Sequence, residues 1–123
     1  MMKENKIRVL KVEPNKHPEE FMLENELEAM QEAVGGYIDI VSLEGGVCIL
    51  LNDEGKLIGL EGNRRICNDI IVGNFYVCGS NYEGDLVSLT YEEKEKYMDM
   101  FYEPEQFTQE EIAETAALEV FFF

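Results

Sequence analysis

The side chains that could do chemistry are few. The single histidine, His17, stands between Lys16 and Pro18 in a turn, and a general base needs a second group to orient it. No serine or cysteine sits in a nucleophile-elbow context. Cys48, Cys67 and Cys78 are separated by 19 and 11 positions, which fits neither a disulfide framework nor paired zinc knuckles. Reduced thiols are expected, with Cys48 and Cys78 in apolar runs acting as small core side chains. Asn52-Asp53-Glu54-Gly55 lacks the alternating oxygen ligands and distant glutamate of a calcium loop. The stretch from Gly79 to Gly84 lacks the lysine and hydroxyl ending of a phosphate loop. The expectation is a protein that is not an enzyme, with no catalytic residues, no metal site and no cofactor.

Two charged features remain. Asn63-Arg64-Arg65, with Asp69 close behind, places two guanidiniums in an otherwise anionic stretch, where they could grip a phosphate or carboxylate bidentately. The competing reading is that both arginines pair with local glutamates and pin a loop. The second feature is the acidity itself. There are 26 Asp and Glu against 10 Lys and Arg, a formal charge of -16 on 123 residues. Residues 1–16 carry five bases and two acids, so the remaining chain holds -19. Glu103, Glu105, Glu110, Glu111, Glu114 and Glu119 close the chain with no lysine or arginine among them. Such a surface either serves solubility or imitates the phosphate rows that fill the basic groove of a nucleic-acid-binding protein.

This balance argues against direct binding to nucleic acid or to an anionic membrane. The polar start and short apolar run at Ile7–Val12 contain no signal-peptide core and no span of about 20 apolar residues, so a cytoplasmic protein is expected. A hydrophobic content of 46% with seven Phe and six Tyr is too high for a disordered acidic tail.

The elements that would position these groups follow from periodicity and turn residues. Ile7–Glu13 reads as a half-buried strand ending at Pro14-Asn15, with Glu20–Leu23 as a short partner. Asn25 reads as the N-cap of a helix placing Leu23, Leu27, Met30 and Val34 on one face before Gly35-Gly36. Tyr37–Leu43, Val47–Asn52 and Lys56–Leu60 read as a meander. The polar stretch 61–69 reads as a loop, and Ile70–Cys78 as one central strand bent at Gly73-Asn74. Leu86–Leu89 is a last short strand. Thr90-Tyr91-Glu92-Glu93 and Thr108-Gln109-Glu110-Glu111 are capping boxes. They open one helix to about Tyr102 and a final helix with a stripe of Ile112, Ala113, Ala116, Ala117 and Val120. Phe121-Phe122-Phe123 either plugs a groove or is exposed for a partner. This order predicts an α+β fold with a mainly antiparallel sheet, one helix after the first strands and two C-terminal helices. The domain is expected to span residues 1–103, with 104–123 as a helical extension.

Several segments in order, Val12-Glu13-Pro14, Val34-Gly35-Gly36-Tyr37-Ile38, Asn52-Asp53-Glu54-Gly55-Lys56-Leu57, Gly59-Leu60, Asn63-Arg64, Asp69-Ile70-Ile71-Val72-Gly73-Asn74-Phe75 and Ser88-Leu89-Thr90, resemble a family of small acidic proteins. That family is a domain of unknown function carried by phages, plasmids and conjugative elements of Gram-positive bacteria. The resemblance covers roughly residues 7–103. It implies a small acidic accessory protein of a mobile element, and so an inhibitor of a host defence nuclease, of anti-CRISPR or anti-restriction type. Its partner would be a basic nucleic-acid-binding protein met by Glu103, Glu105, Glu110, Glu111, Glu114 and Glu119. The alternative is a module that binds or sequesters a nucleotide or other anion at Asn63, Arg64, Arg65 and Asp69. A homo-oligomer remains open.

Overall fold

The computed structural model describes residues 5–122, with side chains described as far as Thr115. The chain forms β1 (Lys6–Val12), β2 (Glu19–Glu24), α1 (Leu27–Val34), β3 (Ile38–Ser42), β4 (Val47–Asn52), β5 (Gly62–Ile66), β6 (Asp69–Val72), β7 (Phe75–Ser80), β8 (Leu86–Val87), α2 (Tyr91–Met100) and α3 (Gln109–Phe122). Five strands run in the order β2-β1-β7-β4-β3, β8 pairs with β7, and β5 and β6 form a separate two-stranded sheet. All pairings are antiparallel. The fold is α+β, as the order of elements implies.

The central strands carry nearly continuous apolar runs because both faces of the sheet are covered. Ile7, Val9, Leu50, Tyr76 and Cys78 pack on one face with Met30 and Val34 of α1. Leu10, Val12, Ile49, Phe75 and Val77 pack on the other face with Ile71 of the small hairpin and with Tyr97 and Phe101. Cys48 and Cys78 sit opposite each other on β4 and β7. Both are buried, and burial pushes both thiols above their ordinary range.

Both capping boxes are formed. Thr90 Oγ1 accepts from the Glu93 amide while Glu93 accepts from the Thr90 amide, and Thr108 and Glu111 do the same for α3. Gly35 closes α1 in the left-handed region at φ 78°, where a Cβ would be strained.

Five local expectations are corrected. Asn25 does not cap α1. Glu26 is the N-cap residue, with no side-chain cap bond, and Asn25 Nδ2 instead donates to the Leu86 carbonyl at 3.5 Å. Leu27 is exposed and Leu23 belongs to β2, so Met30 and Val34 are the buried residues of the helix, with Ala33 packed beside them. Lys56–Leu60 is a series of turns: Asn52 Oδ1 takes the Glu54 amide, and Ile58 and Leu60 bond back to Glu54 and Gly55. These local bonds satisfy the backbone before a ladder can. The stretch 61–69 is not a loop; it holds β5 and the start of β6. Finally, Ile70–Cys78 is two strands in two sheets. Gly73, at φ 73° with its amide on the Glu61 carbonyl at 2.8 Å, turns the chain from one into the other.

In α3, Ile112 and Thr115 face inward while Ala113 is exposed. The side chains of Ala116, Ala117, Glu119, Val120 and Phe121–Phe123 lie outside the described residues.

Candidate functional site

Asn63 and Arg64 are both fully buried, because β5 turns their side chains toward the place where α2 ends. Arg64 makes five hydrogen bonds, equal to the number of N–H groups on a guanidinium. Nε and Nη2 donate to the Phe101 carbonyl at 3.0 and 2.8 Å. Nη2 also donates to the Lys16 carbonyl at 2.7 Å, and Nη1 donates to Asn63 O and Oδ1 at 3.2 and 2.8 Å. Phe101 follows the last residue of α2, so its carbonyl is one of the orphan acceptors of a helix end, where the dipole also favours a cation. Burial pulls the Arg64 guanidinium below its usual range, and Glu105 opposes that pull. Asn63 completes the knot by donating to Val12 O at 2.9 Å and Gly73 O at 2.8 Å. His17 closes the outer side, stacked on Tyr102 at 4.2 Å with Nδ1 2.6 Å from the Tyr102 carbonyl.

The four residues of the expected anion loop therefore do not converge. Arg64 aims inward and has no donor to spare. Arg65 is exposed, with its amide on Glu105 at 3.1 Å and its guanidinium 5.7 Å from the Phe107 ring. Asp69 is paired with Lys56. Pinning is the role the geometry gives to Arg64, through main-chain carbonyls in place of glutamates.

Acidic residues line the exposed faces of both C-terminal helices. On α2, Glu92, Glu95 and Asp99 are exposed at spacings that align them on one helical face, opposite the buried Tyr97 and Phe101. Glu103 is exposed just beyond, and Glu110 and Glu114 lie one turn apart on the outer face of α3. Two of the expected partner-binding residues have internal duties: Glu105 holds the Arg65 amide and Glu111 caps α3. The bond to Thr108 holds the Glu111 carboxyl below its usual value. Basic side chains do little to offset this surface. Arg8, Lys11, Lys16, Lys56, Lys94 and Lys96 each pair with a carboxylate.

One feature escaped the sequence reading. A cleft of about 880 Å³ opens between the β3–β4 edge of the large sheet and the β5–β6 hairpin. Val41, Ile49 and Leu51 floor it, Ile66 and Ile71 wall it, and Asp39, Asp53, Glu54, Lys56 and Asp69 rim it. Its volume is that of an ordinary ligand cleft. No local signal in the sequence marks it, because its two sides come from two separate sheets. Among the described residues no group of three or more His, Cys, Asp or Glu is placed to hold a metal, and no helix is long and apolar enough to cross a membrane.

The chain belongs to the family described as Domain of unknown function (DUF3846), which it matches over residues 7–102. The match takes in the Arg64 knot, α2 and all of the cleft lining except Thr115, and stops before α3. Neither the curated proteins nor the solved structures include a significant match.

Proposed function

We propose that this DUF3846 protein is a non-enzymatic inhibitor that occupies the basic nucleic-acid-binding surface of a host defence nuclease, of anti-CRISPR or anti-restriction type, in the service of a mobile element. The observation that supports this reading is the one-sided electrostatics. Six of the ten basic side chains are paired with carboxylates and a seventh is buried, while Glu92, Glu95, Asp99, Glu103, Glu110 and Glu114 remain on the outside. A surface of this sign steers association with a cationic groove and repels nucleic acid. The reading takes the protein to be cytoplasmic, as its target would be.

The experiment is plasmid cleavage by a panel of CRISPR effector and restriction nucleases, with the protein added at low and at high salt. Inhibition of a nuclease should fade as salt rises, and the combined Glu103→Lys, Glu110→Lys and Glu114→Lys variant should lose it. Inhibition indifferent to both, or no inhibition across the panel, would overturn the reading.

A further inference from the structure

The two edges of the large sheet are built differently. β2 presents Glu19, Glu20 and Glu24, and Glu20 is held by Lys94 and Arg8. Charges of this kind discourage strand addition. β3 has a single charge, Asp39, and exposes Ile40 and Val41 at 46% and 40%. It carries no lysine, proline or bulge.

The register shows which groups β3 offers. Asp39 and Val41 oppose Leu51 and Ile49. The flanking bonds, Asp53 N–H to Tyr37 O at 2.8 Å and Leu43 N–H to Val47 O at 2.7 Å, mark the odd-numbered positions as those bonded to β4. In an antiparallel ladder the alternate residues direct their amides and carbonyls the other way. Ile38, Ile40 and Ser42 thus turn theirs outward, at an edge where no further strand lies among the described residues. On one face of that edge Val41 leads into the cleft floored by Ile49 and Leu51.

We propose that β3 is a docking edge for an extended cationic segment of a partner protein, which adds as a further strand and lays alternate apolar side chains over Val41 at the mouth of the cleft. Backbone pairing would supply affinity and the cleft specificity. The cationic character follows from the rim, where Asp39 on β3 and Asp53 and Glu54 beyond β4 line the same cleft and Lys56 is already paired with Asp69. A second copy is the less suitable occupant, since each chain brings a charge of -16 to the contact. The inference stands apart from the inhibitor reading, which rests on the carboxylates of α2 and α3.

The test is titration of the full-length, isotope-labelled protein with a capped heptapeptide whose cleft-facing alternate positions carry valine or isoleucine to meet Val41 and lysine to meet Asp39, which shares that face, followed by amide shifts. Shifts should centre on Ile38, Ile40 and Ser42. Binding should weaken roughly tenfold or more when lysine is replaced by glutamate, and again when every peptide amide is N-methylated. Ile40→Pro removes an outward donor while sparing the bonds to β4, and should weaken binding likewise. If that variant folds poorly, the methylated peptide asks the same question of the intact protein. Equal binding of the methylated peptide, shifts confined to Glu110 and Glu114, or concentration-dependent shifts of β3 without peptide would each overturn the proposal, the last in favour of a second copy.

Discussion

Arg64 and the carboxylates of α3 are the two charged regions that attract notice in the chain, and the fold uses them in opposite ways. Arg64 is one of two adjacent cations in an acidic stretch, yet it is buried and spends its donors on the main-chain carbonyls of Phe101, Lys16 and Asn63 and on Asn63 Oδ1. Glu110 and Glu114 are ordinary members of a crowd of acids, yet they face solvent. Rarity of a charge is thus a poor guide to its use. What decides is whether unpaired backbone acceptors converge on it, since a buried charge persists only when its hydrogen bonds are made.

The comparison breaks most readily at its buried end. Arg64→Ala leaves the carbonyls of Phe101 and Lys16 without this donor, at about 1–3 kcal/mol each, and should be the largest loss seen in urea denaturation. Arg64→Lys should recover little of it, because an ammonium cannot span the same acceptors. A near-neutral Arg64→Ala would mean that the knot is incidental. Asn63→Ala strips the Val12 and Gly73 carbonyls and Arg64's near acceptor, at about 1–3 kcal/mol. The third test lies between the two regions. Thr108→Ala should cost about 1 kcal/mol, appearing as faster amide exchange in α3 with β4 and β7 unchanged. The pH dependence of that cap has a definite sign. The carboxyl of Glu111 is lowered from 4.5 by its bonds to Thr108, so its contribution is present above that value and disappears as pH falls through the lowered pKa. Glu44, lowered by the bond to Lys96, should behave the same way. Side-chain carboxyl titration by NMR would check both. The smallest effect belongs to the exposed end: Glu110→Gln with Glu114→Gln should leave the denaturation midpoint unchanged, and a measurable loss would show that these carboxylates also hold the fold.

Much of this architecture was legible. The capping boxes at Thr90 and Thr108, the glycine stop at Gly35 and the β3–β4 hairpin are local events, set by residues within a few positions of each other. The errors fall where distant partners decide. A stretch reading Asn63-Arg64-Arg65 looks like a solvated loop because buried arginine is rare. It becomes a strand when the end of α2 and the turn at Lys16 bring their carbonyls to it. The break at Gly73 was visible as a bend, but its consequence, two strands sent to two sheets, depends on the Glu61 carbonyl.

The sequence by itself determined the acidic balance, the helix starts at both capping boxes, the β3–β4 hairpin and the family to which residues 7–102 belong. These are properties of composition, of neighbours in the chain and of motif order. Only the tertiary structure decided that Arg64 is internal, that β3 is an unguarded edge and that a cleft lies beside it. Each of those depends on which surfaces and backbone groups remain unpaired once the sheet, the hairpin and the two helices have packed, and no local pattern encodes that remainder.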